Sequence, residues 1–174
     1  TSVSQWDYFH DTSALFTLAF WFKLAGITEN DFFFANTDGS AAQGFRFRMS
    51  ENDPAAAFQL EIKSDSAAIV NATTTITFIP DSTNWYFYTI TYSQALSSDN
   101  LVFRRDNSNE ETFNKTGNTP VDENAENSAQ FARKTGASAN FGNFYLSECS
   151  NWNKVMSDED QASLYNDGDG LEIY

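Results

Sequence analysis

The side chains in this sequence that could do chemistry are carboxylates, aromatics and a few arginines, and their spacing sorts the possibilities. A retaining glycosidase needs two carboxyl groups about 5–5.5 Å apart, which a strand supplies from residues two apart on one face. No strand-like run carries such a pair. The outward positions of FQLEIKS (58–64) are Gln59, Glu61 and Lys63, and the acid-rich pieces 122–126 and 158–160 fall in a loop and at a helix start. The only cysteine, Cys149, and the only histidine, His10, are far apart in sequence, so no thiol–imidazole pair is suggested. Cys149 reads instead as a buried free thiol in the apolar alternation of FYLSEC. Hard oxygen ligands for calcium could come from Asp7 and Asp11, from Asp99 and Asn100, or from Asp167 and Asp169. The blander use of the same acids is in turns and on the surface.

Sugar recognition stacks a pyranose on an aromatic face and adds hydrogen-bond donors beside it. Tyr86 and Tyr88 share one face of WYFYTITY, and Arg46 and Arg48 share one face of GFRFRMS. If both strands belong to a concave sheet, these four form a groove, with Trp6 of WDYFH as an outlying candidate. The structural alternative is a tyrosine row and a cross-strand Arg–Glu ladder.

The elements that must position these residues are mostly strands. LFTLAFWFKL (15–24) alternates, with one uniformly large apolar face. DFFFAN (31–36) leads to the turn TDGS (37–40), whose Asp-Gly step favours a hairpin into GFRFRMS (44–50). There Phe45, Phe47 and Met49 face inward, as do Phe58, Leu60 and Ile62 of FQLEIKS, so that pairing would bring Arg46 and Arg48 near Glu61. ATTTITFI (72–79), WYFYTITY (85–92), NLVFRRDN (100–107) and FGNFYLSECSNWN (141–153) read as further strands. Residues 107–139 read as a long polar loop with a short strand at AQFAR (129–133). Strands at this spacing, with turn signals between them, indicate an all-β sandwich of one domain, 1–174.

Composition narrows the function classes. Seventeen Phe, seven Tyr and four Trp exclude disorder and require a packed core with some exposed rings. A chain of 174 residues buries about 70% of its unfolded surface and needs no staple. Ten basic against twenty-four acidic residues give a net charge of −14, which disfavours nucleic acid and anionic membranes as partners. No run approaches the roughly 20 apolar residues of a membrane span. The chain starts at Thr1 without an initiator Met or a signal peptide, as expected of a processed protein or an excised domain. Two sequons occur, at Asn71 and Asn114.

One helix stands out. In KVMSDEDQASLYNDGDG (154–170), Ser157 is a good N-cap, Asp158, Glu159 and Asp160 load the first turn with negative charge, and Gly168 suits a left-handed C-terminal cap. A helix of two turns cannot stand alone in water, so it must dock, with Tyr165 and Met156 as anchors.

Trp152-Asn153-Lys154-Val155-Met156-Ser157-Asp158-Glu159, followed by Leu164-Tyr165-Asn166, resembles the end of the laminin-G/pentraxin-type jelly roll of the concanavalin A-like superfamily. FTLAFWFKL resembles that family's early strand and NWYFYTITYS its central strand, in the expected order. The resemblance implies a two-sheet antiparallel jelly roll, with Trp21, Trp85 and Trp152 in the core. It also implies a non-catalytic module outside the cell, on a cell surface or on a virion, binding a glycan. The competing expectation is a structural knob or decoration domain with capsid or adhesin partners. Relatives hold calcium through an acid near the N-terminus and another on the last strand. The resemblance thus adds Glu148 to Asp7 and Asp11, with Ser147 where the family has Asp.

Overall fold

The computed structural model describes residues 3–26, 32–37, 43–50, 56–65, 67–79, 81–125, 127–132 and 144–169. The Asp-Gly step at 38–39 lies outside them. The chain runs from a 3-10 helix (Val3–Phe9) into ten strands: β1 (Leu15–Leu24), β2 (Phe32–Ala35), β3 (Gly44–Met49), β4 (Phe58–Ser64), β5 (Ala67–Thr73), β6 (Tyr86–Ser93), β7 (Leu101–Arg105), β8 (Asn109–Phe113), β9 (Gln130–Phe131) and β10 (Phe144–Trp152). It closes on helix α1 (Asp158–Tyr165). All pairings are antiparallel, in two five-stranded sheets ordered β10-β1-β6-β7-β8 and β5-β4-β3-β2-β9. This is the jelly-roll sandwich that the sequence pattern and the resemblance both called for.

Period-two alternation builds the core. From the first sheet Phe16, Leu18, Phe20, Phe22, Tyr88, Ile90 and Phe103 point inward, and from the second Phe33, Phe45, Phe47, Phe58, Leu60 and Ile62. Ring packs on ring: across the interface Phe58 lies 4.8 Å edge-on to Tyr88, and within the second sheet Phe33 stacks 4.5 Å from Phe47. The N-terminal 3-10 helix inserts Phe9, fully buried, 4.6 Å from Phe45 and 4.8 Å from Phe16. The turn into β3 needs Gly44. It sits at φ +139°, and a Cβ there would come 2.6 Å from Asn36 Oδ1, which already accepts the Phe45 N–H.

Two stretches differ from the sequence expectation. Residues 72–79 are not one strand: β5 ends at Thr73, and a short 3-10 turn spans Ile76–Phe78. The intervening threonines are diverted into side-chain bonds, Phe58 N–H to Thr74 Oγ1 and Thr75 N–H to Glu111. The polar run after Asp106 is also not all loop. Asp106 and Asn107, both at positive φ, form a tight turn closed by Ser108 N–H to Arg105 O at 3.1 Å, and NEETF returns as β8 on the sheet edge.

Helix α1 docks on the outer face of the first sheet. Ser157 caps it, accepting from Asp160 N–H. The left-handed C-terminal residue is Asn166 (φ 47°, ψ 48°), not Gly168, and its N–H bonds Ala162 O. Tyr165 stacks 6.0 Å from Trp21 and 5.9 Å from Phe87, and Met156 is buried. Gln161 adds an anchor the sequence did not suggest: it accepts from Thr89 Oγ1 and donates to Met156 O.

Candidate functional site

The expected four-residue groove does not form. Arg46 and Arg48 lie on β3 of one sheet, and Tyr86 and Tyr88 on β6 of the other. Tyr88 is fully buried in the core, where its hydroxyl donates to Phe78 O at 3.0 Å and burial pushes its pKa up. Tyr86 is partly buried, donates its hydroxyl to Asp81 and lies under the Arg105 guanidinium at 5.6 Å. On the second sheet the structural alternative holds. Arg46 pairs with Glu61 directly across the strand, Lys63 reaches the same carboxylate at 3.5 Å, and Arg48 lies over the Phe32 ring at 5.8 Å. Glu61 is 5% exposed, so this ladder is largely withdrawn from solvent.

Trp6 packs on Phe34 and Phe9 at 5.2 and 5.9 Å, which makes it part of the plug formed by the 3-10 helix. Of the three candidate metal ligands, Asp7 and Asp11 lie one turn apart beside His10, and Glu148 lies in the β10 bulge. Asp7 faces His10 at 3.7 Å and accepts from Ala125 N–H, and Asp11 accepts from Ser13. Glu148 sits at positive φ in the β10 bulge, lining a cleft of about 270 Å³ with Ala19, Phe87, Trp152 and Leu164. Among the described residues no three acids, histidines or cysteines come together as a metal site would require. Asn100 is buried and serves its turn, donating to Ser93 O and Leu96 O, while Asp167 takes a left-handed conformation after α1. Cys149 is exposed in the same bulge, not buried, because the register shift there takes it out of the strand alternation.

The tryptophans are likewise not in the central core. Because Phe22, Leu24, Tyr86, Phe144 and Leu146 turn toward the core, the intervening Lys23, Trp85 and Tyr145 turn outward. Lys23 is paired directly with Tyr145, and the neighbouring Phe22↔Tyr86 pair places Trp85 on its other flank. Trp85 is 43% and Tyr145 56% exposed, and their ring centroids lie 6.3 Å apart. Behind them Trp21, Phe87 and Tyr165 extend the aromatic surface to the edge of α1. The turn before β6 holds Trp85 in place. Asp81 accepts from the N–H groups of Thr83 and Asn84 and from the Tyr86 hydroxyl, and those bonds, the hydroxyl's foremost, keep its pKa well below the ordinary carboxylate value. The sequence held the signal for this surface: Trp85 is out of phase with Tyr86 and Tyr88, so it had to face away from them.

The chain belongs to the concanavalin A-like lectin/glucanases superfamily, whose laminin-G family model matches residues 2–160. No curated protein matches its sequence. Three solved structures are similar in fold. One is a heptameric SAP-like pentraxin from Limulus polyphemus, 12% identical, with TM-score 0.57, covering 91% of this chain and 72% of the pentraxin. Another is the CBM40 of the Ruminococcus gnavus IT-sialidase bound to α2,3 sialyllactose, 9% identical, with TM-score 0.63, covering 88% and 83%. The third is from botulinum neurotoxin type C, whose cell entry depends on two ganglioside molecules; it is 14% identical, with TM-score 0.58, covering 87% of this chain. The chain spans little more than a third of the neurotoxin chains it matches.

Proposed function

We propose that this domain is a non-catalytic binding module whose ligand is a glycan, displayed outside a cell or on a particle surface. The exposed Trp85–Tyr145 pair carries the reading. Two adjacent rings in water are costly to leave bare, and the negative face of each ring suits the weakly positive C–H face of a pyranose. The membership supports a sugar ligand, and so do the relatives: the CBM40 was solved with sialyllactose, and the toxin depends on gangliosides. The carboxylate pattern supports a binding role over hydrolysis, since Glu61, the acid of β4, is spent on Arg46 and Lys63.

The test is a glycan array probed with purified protein, in calcium and again in chelator. Binding to a defined sugar class in calcium-free buffer is the expected result. A blank array in both buffers refutes the reading, and binding lost in chelator assigns it to a metal-dependent site elsewhere.

A further inference from the structure

Among the described residues, the basic side chains are nearly all committed. Arg46 and Lys63 pair with Glu61, Arg104 with Glu110 and Asp158, Arg105 with Asp106, and Lys154 with Asp160. Lys115 donates to the carbonyls of Gln94 and Leu96, and Arg48 lies over Phe32. Lys23 alone has no such partner among them, although the chain carries 24 acids to choose from. It sits on β1 at the register position flanked by Tyr145 on β10 and by Trp85 at the start of β6, the two exposed rings. An ammonium with no ion-pair partner among the described residues, on the same outward face as two exposed rings, matches a ligand that is anionic at one end and apolar along one face.

We infer that Lys23, Trp85 and Tyr145 form the recognition site for a carboxylate-bearing sugar, with the ring stacked on the aromatic pair and the carboxylate on the Lys23 ammonium. This inference rests on the glycan-binding reading and narrows it to acidic sugars at this place in the fold. A neutral sugar could stack equally well but would leave the ammonium without a partner. An acidic sugar adds a charge-assisted hydrogen bond, and a site of this exposure keeps that bond sensitive to salt. The Asp81-bonded turn holds Trp85 before the ligand arrives, which reduces the ordering cost of binding.

The test uses calorimetric titration of the whole chain with four probes: 3′-sialyllactose, lactose, trigalacturonic acid and its methyl ester. The two acidic members distinguish a sialic-acid source from a uronic-acid source of the same carboxylate. At least one acidic probe is expected to bind more tightly than its neutral counterpart, and raised salt should weaken it. Lys23→Gln is expected to reduce that affinity by about ten-fold and to abolish the preference over the neutral probe. Trp85→Ala and Tyr145→Ala should weaken both members of the pair. All three positions are on the surface, so unchanged melting curves confirm that the variants are folded. If glycans bind on the array but neutral and acidic probes bind alike, or if the acidic preference survives Lys23→Gln, this site is refuted while the glycan reading stands. If nothing binds in either experiment, both fall.

Discussion

The docking of α1 can be tested through Gln161. This side chain is 5% exposed, and it joins the helix to the sheet by accepting from Thr89 Oγ1 and to its own entry turn by donating to Met156 O. Gln161→Leu keeps the volume and the helix propensity but leaves the Thr89 hydroxyl and the Met156 carbonyl unpaired. An orphaned buried polar group costs about 1–3 kcal/mol. Thr89 can turn its hydroxyl toward the backbone, which puts that group at the low end, and the added apolar burial offsets part of the total. The expected net loss is about 2–3 kcal/mol, or roughly 5–10 °C in Tm for a chain of this length. Urea unfolding reads it as a lower midpoint at unchanged slope. The double change Gln161→Leu with Thr89→Val removes the stranded hydroxyl and should recover about 1 kcal/mol. A single-variant loss below about 0.5 kcal/mol, or a double variant that is merely additive, refutes the account of how the helix is held.

Three further outcomes are expected. Glu61→Leu removes the carboxylate that Arg46 and Lys63 share, their side chains both 15% exposed, and should cost about 2–3 kcal/mol in urea unfolding; Arg46→Met added to it should restore most of the loss. Gly44→Ala forces a Cβ against Asn36 at positive φ and should cost more than about 2 kcal/mol, whereas Gly117→Ala, which meets nothing within 4 Å, should change little. His10 is buried, and desolvation lowers its pKa below the ordinary 6.5 despite the opposing pull of Asp7, Asp11 and Glu123. The folded state therefore favours the neutral ring, so stability is full above about pH 6.5 and falls as the pH drops toward the folded-state pKa. Urea midpoints measured from pH 8 to pH 5 should show that decline, and His10→Asn should flatten it.

What could be read from the sequence followed physical rules that act locally. β1, β3 and β4 alternate, so both their existence and their inward faces were legible; β6 was legible as a strand, but its Tyr86 and Tyr88 face, expected in a ligand groove, turns to the core. Ser157 and the three acids behind it marked the start of α1. The hydrophobic pattern said nothing about β8, because NEETF is an edge strand with little to bury. Sheet membership was equally hidden. Whether Arg46 and Tyr88 share a surface depends on strand order, which no local pattern encodes, so the expected groove was assembled from two sheets. The resemblance placed Trp21, Trp85 and Trp152 in the core because it aligned strands without fixing which side of the sheet each residue takes.

The distribution of aromatic types has a spectroscopic consequence. The central packing is done by phenylalanine with two buried tyrosines, whereas Trp6, Trp21, Trp85 and Trp152 all lie at the periphery. Tryptophan emission from this protein therefore reports on its outer layer: the N-terminal plug, the helix dock and the exposed Trp85–Tyr145 face. Loss of α1 would shift the emission while the sandwich beneath stayed intact, and melting of the sandwich would be followed better by far-ultraviolet dichroism. A gap between those two signals would measure how independently the outer layer unfolds, and quenching of Trp85 would give a direct optical readout of any ligand that stacks on it.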